Sequence, residues 1–188
     1  MEGIIVRAYP SGNYDLILYI IFKEFGKLSC FASNARRLKR NSSFPELFDH
    51  CRFEIVPGQG DLQKIKQFRQ ITAFPGLRTD LLKFSTASIV CESADILIPE
   101  AEELHSEENF QIIKDCLTEL NTKLEQNLIL KNCYQTLYSL LKNTGLIAPE
   151  EAPPATRNNL VKLLNKVEHI AERELKSKES LIEFLKTL

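Results

Sequence analysis

The chain has 188 residues, of which 44% are hydrophobic and 26% are charged. This composition excludes a disordered chain, and no run approaches the ~18 to 20 apolar residues that a membrane span requires. The segment Met1-Glu2-Gly3 lacks a basic stretch followed by an apolar one, so we expect no secretory signal. These features predict a cytoplasmic protein of one to two domains, at ~150 residues each, with no membrane partner.

Charge is divided unevenly along the chain. Residues 1–83 carry 13 Lys or Arg and 8 Asp or Glu, whereas residues 84–188 carry 11 and 17. The near-neutral total of −1 therefore combines a basic first part with an acidic second part. A basic part is typical of a protein that binds a polyanion, although ordinary scatter of surface charge gives the same totals.

The five cysteines indicate a reducing compartment, because their number is odd and the gaps between them are long. No C-x-x-C pair occurs, so the short ligand spacing of a structural zinc site is missing from the sequence. We predict that the cysteines are small buried hydrophobic residues: Cys30, Cys51, Cys91, Cys116 and Cys133.

The first part of the chain has the pattern of short strands separated by turns. In the first strand Ile4, Val6 and Ala8 fall on one face and Arg7 and Tyr9 on the other. The apolar run over residues 15–22 predicts a strand buried on both faces. The expected strands are residues 3–9, 15–22, 28–33, 51–56 and 62–73, and five strands at this spacing predict a small closed barrel.

From Pro75-Gly76 onward the apolar spacing becomes helical. The first helix is expected to end at Pro99, and Ser106 is expected to begin the second. Gly145 is expected to end a third helix, and two more follow over residues 158–174 and 178–187. The first apolar stripe recurs at spacings of three and four: Leu77, Leu81, Phe84, Ser88 and Cys91.

These patterns together predict an α+β fold. We expect a five-stranded β-barrel over residues 1–75 and an α-helical bundle over residues 76–188. Because Pro153-Pro154 cannot continue a helix, the segment over residues 147–157 is expected to be a loop.

No catalytic motif is found in the sequence. Glycine motifs that hold phosphate are missing, and His50, His105 and His169 are isolated from any nucleophile or metal-ligand spacing. The acidic residues after position 99 are explained by helix starts and solvation. We predict that the protein is not an enzyme and uses no cofactor and no metal ion; a metal-dependent hydrolase of nucleic acid is an alternative.

Six basic residues between positions 23 and 40 are opposed only by Glu24: Lys23, Lys27, Arg36, Arg37, Lys39 and Arg40. The last four lie within five residues and repel one another unless an anion compensates their charge. Such cations on a barrel, with aromatic rings nearby, suit the binding of single-stranded nucleic acid. The alternative places the cations in a solvated loop and the rings in the core. The nearby rings are Tyr9, Phe22, Phe25 and Phe31, and for the three phenylalanines we favour the core position.

Several short segments then occur in a characteristic order and spacing. They are Met1-Glu2-Gly3-Ile4-Ile5, Tyr14-Asp15-Leu16-Ile17-Leu18, Phe25-Gly26-Lys27-Leu28, Ala35-Arg36-Arg37, Pro57-Gly58-Gln59-Gly60-Asp61-Leu62, Phe74-Pro75-Gly76-Leu77-Arg78-Thr79-Asp80-Leu81 and Glu174-Leu175-Lys176-Ser177-Lys178. In these segments the chain resembles the RecO family of bacterial recombination mediators. The likeness covers the first ~100 residues and the tail, while the middle matches only by helical pattern.

The resemblance implies an oligonucleotide-binding (OB) barrel followed by a helical domain. It implies binding of single- and double-stranded DNA, annealing of complementary strands, and cooperation with RecR and the single-stranded-DNA-binding protein SSB in loading RecA at the bacterial nucleoid. It places the DNA contacts on the six basic residues of the barrel rim. It also places the acidic tail of SSB in an apolar pocket of the helical domain, with Lys131 as the candidate basic residue.

Two departures from the family are visible. Asn34 stands where the family usually has Gly, and Asn tolerates positive φ better than most residues. The segment over residues 147–157 lacks the cysteines with which some members bind zinc, so we predict no metal there. A protein–protein adaptor that docks RecR or SSB, with incidental DNA contact, is the alternative function.

Overall fold

The computed structural model describes residues 1–37, 44–122, 125–148 and 152–186, with side chains in the last range described up to residue 183. Five strands form a closed barrel in the order β1-β2-β3-β5-β4. The strands are β1 (Glu2–Ser11), β2 (Asp15–Phe22), β3 (Gly26–Ala32), β4 (His50–Pro57) and β5 (Gln63–Thr72). The expected five-stranded barrel is therefore confirmed.

A 3-10 helix at Pro75–Thr79 leads from the barrel into the helical region. The helices are α1 (Leu81–Leu97), α2 (Ser106–Leu120), α3 (Gln126–Asn143), α4 (Arg157–Ala171) and α5 (Lys178–Lys186). The chain forms two compact units, of which the first contains Met1–Ala73 with Pro99–Phe110 and the second contains Phe74–Ile98 with Gln111–Leu188. The division at residue 75 stays a prediction, and packing assigns one later segment to the barrel unit.

The barrel core is built by alternate residues of each strand. Leu18, Ile20 and Phe22 of β2 pack with Cys30 of β3 inside the barrel. Because strand side chains alternate between faces, the odd-numbered residues of β2 lie outside. Of these outward residues Ile21 is fully buried, whereas Ile17 and Tyr19 are only partly buried. The expectation that β2 is buried on both faces is therefore wrong at Ile17 and Tyr19.

A β-bulge interrupts β1 at Val6. Ile5 pairs with Ile20 and Arg7 pairs with Tyr19, which leaves Val6 without a partner in β2. An extra residue of this kind changes the alternation of the strand that follows it. The bulge therefore turns Arg7 outward, although Ile5 lies in the barrel core.

The segment Pro99–Phe110 completes the barrel wall beside β3. β3 pairs with β5 only at Cys30 and Phe31. Before that point Lys27 forms a bridge to Glu100, and its carbonyl accepts a hydrogen bond from the N–H of Ala101 at 2.8 Å. The Glu100 carboxylate also accepts a hydrogen bond from the N–H of Ser29 at 2.8 Å. Backbone groups at the free edge of β3 thus find their hydrogen-bond partners in this later segment.

The first helix begins later than the apolar spacing predicts. The Asp80 carboxylate accepts a hydrogen bond from the N–H of Lys83, so α1 starts only after the 3-10 turn. A 3-10 helix has three residues per turn, fewer than an α-helix, so the residues after it face a different side than a continuous α-helix would give them. Leu81 and Phe84 are 64% and 40% exposed, so the expectation that they share a buried stripe with Leu77 is wrong.

All five cysteines are buried and free. Burial raises the pKa of the Cys30, Cys51 and Cys116 thiols to about 12. The prediction that the cysteines are buried hydrophobic residues is confirmed. Within the described ranges, no helix is both long enough and apolar enough to cross a membrane.

Candidate nucleic-acid interface

The turn that follows β3 is held by the hairpin between β1 and β2. Asn34 adopts a φ of 55°, and its N–H donates to the Asp15 carboxylate at 2.7 Å. The N–H of Arg36 donates to the Tyr14 carbonyl at 2.8 Å. Ala35 packs against the barrel core. These contacts hold the start of the turn in place. Asn34 adopts the positive φ that an Asn residue was expected to tolerate at this position.

Arg36 and Arg37 project from this turn as exposed side chains. Within the part of the chain that the structure describes, neither guanidinium makes an ion pair. Two adjacent guanidinium groups repel each other and attract an anion with several oxygen atoms. Lys39 and Arg40, the other two cations of the predicted cluster, lie outside the described residues.

Lys23 lies on the barrel unit but is already paired. Its ammonium group forms a salt bridge with Glu107 at 2.9 Å, and the Ser106 hydroxyl donates to the Lys23 carbonyl at 3.0 Å. The hydrogen bond and charge of Glu107 raise the pKa of Lys23. Lys23 therefore stays protonated, but part of its charge is compensated by the carboxylate.

Lys27 differs from the other predicted contacts because it is buried. Its side chain is 8% exposed, and its carbonyl is engaged by the segment Pro99–Phe110. A lysine in this environment offers little surface to a phosphate group. Lys27 is therefore not part of the exposed cationic surface of the barrel.

The aromatic residues near the cations divide between the core and the surface. Phe22 is fully buried and packs edge-to-face on Phe53 at a centroid distance of 5.8 Å. Phe25 is 38% exposed, and Phe31 is partly exposed. The preference for a core position is thus correct for Phe22 and wrong for Phe25.

A row of register partners crosses the outer face of four neighbouring strands. Tyr9 in β1 pairs with Ile17 in β2, Ile17 pairs with Phe31 in β3, and Phe31 pairs with Lys64 in β5. Register partners lie side by side on the same face of a sheet. We call these four residues the outer row; Lys64 is exposed and the other three are partly exposed.

Arg7 and Tyr19 lie beside the outer row as the next pair of partners on the same face of β1 and β2. The Arg7 Cζ is 4.2 Å from the centroid of the Tyr9 ring and 5.5 Å from that of the Tyr19 ring. The two rings meet edge-to-face at 5.9 Å. Sequence reasoning missed Arg7, Tyr19 and Lys64, because only strand register shows that they are neighbours.

Lys131 lies on α3 and is exposed. Leu128, one helical turn before it, is 47% exposed. Residues three apart on a helix share a face, so an apolar and a cationic side chain lie together there. The assignment of Lys131 to a partner's acidic tail stays a prediction.

The geometry defines a five-stranded OB-fold barrel followed by a helical region. Residues 1–74 match the sequence model of the family described as "Recombination protein O N terminal". This match confirms, over residues 1–74, the resemblance seen in the sequence.

Curated proteins named "DNA repair protein RecO" are similar to the chain over longer stretches. The protein of Symbiobacterium thermophilum is 31% identical over 103 residues, which are 54% of this chain and 40% of that protein. The protein of Clostridium perfringens is 29% identical over 147 residues, which are 76% of this chain and 56% of that protein. The protein of Bacillus cytotoxicus is 33% identical over 96 residues, which are 50% of this chain and 38% of that protein. The matched part thus spans about half the length of these relatives, or less.

Proposed function

We propose that the chain is a DNA-binding protein of recombination and DNA repair, and that it acts by binding and not by catalysis. The observation that carries the proposal is the anchored turn that presents Arg36 and Arg37 on a barrel of the RecO N-terminal family. Lys39 and Arg40 continue the basic cluster in the sequence. A single guanidinium group binds a phosphate through two parallel hydrogen bonds, so each of these arginines suits a phosphate contact.

The energetic basis of this binding is the release of counterions from the phosphate backbone. Each neutralised phosphate of a single strand contributes about −0.7 to the slope of log affinity against log salt concentration. Contacts to phosphate do not depend on base sequence, so single- and double-stranded DNA both bind. Two complementary strands on one cationic surface repel each other less, and this supports annealing.

We extend the proposal to the partners that the family implies. RecR and SSB would join the protein on DNA, and together they would allow RecA to load. For the acidic tail of SSB we propose the α3 surface formed by Leu128 and Lys131, because it combines an apolar side chain with a cation. Lys131→Glu is expected to abolish binding of an acidic peptide with that tail sequence, and Lys162→Glu is expected to leave it unchanged.

A salt titration with a single-stranded oligonucleotide tests the DNA-binding proposal. The variant Arg36→Ala/Arg37→Ala is expected to bind more weakly, and its salt slope should be shallower by about 1.4. The matched control is Lys142→Ala/Lys162→Ala, which removes two exposed cations from the helical unit. Equal slopes for the two double variants would overturn the assignment of the site.

The same titration separates DNA binding from the adaptor function. An adaptor would bind RecR or SSB equally well at high salt and would show little affinity for bare DNA. Steep salt dependence of binding to bare DNA supports the present proposal, and its absence supports the adaptor.

A further inference from the structure

Two segments of the barrel unit lie side by side: the turn between β2 and β3, and the loop that leads into α2. At one end of this pair the Ser106 hydroxyl donates to the Lys23 carbonyl at 3.0 Å. At the other end the two backbones approach so closely that a Cβ on Gly26 would collide with the Glu102 carbonyl oxygen. The residues between these two contacts are thereby brought to one place on the surface.

Each of the two segments exposes a large apolar side chain at this place. Phe25 lies in the turn and is 38% exposed, and Leu104 lies in the loop and is 68% exposed. Leu104 is more exposed than any other large apolar residue within the described ranges. A lone exposed apolar residue is ordinary on a protein surface, whereas neighbouring ones form a patch that offers apolar burial to a partner.

The loop that carries Leu104 has a defined backbone. Ala101 and His105 adopt φ angles of 57° and 58°, in the left-handed region that residues other than glycine rarely occupy. The N–H of Leu104 donates to the Glu102 carboxylate at 3.1 Å. Left-handed residues cost conformational energy, so the surrounding contacts are needed to hold this shape. A side chain presented by an ordered loop loses less conformational entropy on binding than one on a mobile loop.

Carboxylates flank the apolar pair along both segments. Five glutamates are exposed there: Glu24, Glu102, Glu103, Glu107 and Glu108. They outnumber the nearby cations, which are Lys23 and, when protonated, His105. Glu24 and Glu103 form no salt bridge within the part of the chain that the structure describes. This surface therefore has a net negative charge, which repels phosphate and attracts Lys and Arg side chains.

The patch and the Arg36–Arg37 turn lie at opposite ends of β2. That turn is bonded to Asp15, where β2 begins, whereas the patch follows Phe22, where β2 ends. A strand of this length spans about 24 Å at ~3.4 Å per residue. This separation exceeds the Debye length of ~8 Å at physiological ionic strength, so neither charged surface cancels the other.

We propose that Phe25, Leu104 and the flanking glutamates form a docking surface for a partner protein, through a segment in which Lys or Arg residues flank a large apolar residue. The apolar side chain of the partner packs on Phe25 and Leu104, and its cations face the carboxylates. Complementary charge of this kind favours the correct partner and speeds association. DNA on the Arg36–Arg37 turn leaves this surface free, and the inference does not depend on what that turn binds.

Selection from a phage-displayed library of random peptides tests the chemistry of the partner. The full chain is the target, and the variant Phe25→Ser/Leu104→Ser is used for counter-selection after circular dichroism has shown that it folds. Peptides that bind the parent chain and not the variant should share an apolar residue flanked by Lys or Arg. An acidic consensus, or no peptide that distinguishes the two proteins, would overturn the proposal.

The affinity of one selected peptide then measures each part of the surface. Leu104→Ser should weaken its binding by about tenfold, because the buried apolar contact is lost. The matched control is Leu81→Ser, which removes a leucine of the helical unit that is 64% exposed and should leave the affinity unchanged. Glu103→Lys should also weaken binding, whereas Glu183→Lys on α5 should not. Equal losses at the paired positions would overturn the assignment of the surface.

Two further measurements exclude other occupants. An oligothymidine titration should give equal affinities for the parent chain and for Leu104→Ser, and a weaker variant would mean that the patch binds nucleic acid. Sedimentation velocity should give the same species for both proteins, and a larger species that Leu104→Ser removes would mean that the patch binds a second copy of this chain. Either result would replace the proposed partner protein.

Discussion

The carboxylate of Glu92 in α1 accepts a hydrogen bond from the backbone N–H of Ser177, 85 residues further along the chain, at 3.1 Å. The same carboxylate accepts from the N–H of Lys176 at 3.1 Å and from the Arg173 guanidinium at 3.2 Å. The segment Leu175-Lys176-Ser177, one of those on which the resemblance rests, is therefore the point where the end of the chain is tied to the first helix.

The Glu92 contacts predict a loss of stability when the carboxylate is removed. Glu92→Ala should lower the free energy of unfolding by about 2 to 3 kcal/mol, because N–H groups lose a charged acceptor. Chemical denaturation followed by circular dichroism measures this value. The exposed Glu183 is the matched control, and its replacement by Ala should change stability by less than about 0.5 kcal/mol. Equal effects at the two positions would contradict the prediction.

Gly26 is predicted to be the glycine of the barrel that is least tolerant of substitution. Its φ is 67°, and a Cβ there would lie 2.0 Å from the Glu102 carbonyl oxygen. Gly12 has a φ of 60° and no atom within 4 Å of its added Cβ. Gly12→Ala should cost about 1 to 2 kcal/mol for the conformation alone, and Gly26→Ala should cost clearly more. Thermal unfolding of the two variants compares them directly, and similar melting temperatures would show that the close approach to Glu102 is unimportant.

Neutralising Glu107 should strengthen DNA binding. Glu107→Gln releases Lys23 from its salt bridge, so the ammonium group can face a phosphate. We expect about a threefold gain in affinity for single-stranded DNA at low salt, since an exposed ion pair is weak and easily exchanged. The gain should disappear when Lys23→Ala is added. Glu103→Gln removes another exposed charge, and a similar gain there would mean that only net charge matters.

Stability in acid should depend on Glu2. The hydrogen bond from Arg52 holds the pKa of the Glu2 carboxyl below its ordinary value of 4.5, against the opposing effect of burial and with help from the charge of His50. A lowered pKa in the folded state stabilises the fold above pH 4.5, and this contribution is lost as the pH falls through the folded-state pKa. Glu2→Gln should therefore be less stable than the parent chain at pH 7, and the difference should shrink below pH 4.5. Urea unfolding across this range measures it, and a constant difference would exclude the mechanism.

Strand and helix positions were predictable because local patterns determine them. Turn residues such as Gly26 mark the strand ends, and β2 occupies the expected Asp15–Phe22. The helix phase at α1 was not predictable, because the 3-10 turn before Asp80 changes the spacing between Leu77 and Leu81 without any sequence mark.

The candidate site was predictable only in part. Arg36 and Arg37 stand out in the sequence as a charge cluster, and the structure places them exposed on an anchored turn. The outer row combines residues from four strands, and its members become neighbours only through the register of the barrel. Pairing register depends on long-range packing, so a single sequence does not reveal it.

The contribution of Glu100 and Ala101 to the barrel wall has a practical consequence for dividing this molecule. A fragment cut after residue 74 would match the family boundary but would lack the groups that bond Lys27 and Ser29. The bared stretch of β3 would then recruit strands from other molecules, so the excised barrel should self-associate. A minimal independently folding version of this barrel has to carry residues 99–110, either through the intervening helix or by a designed linker.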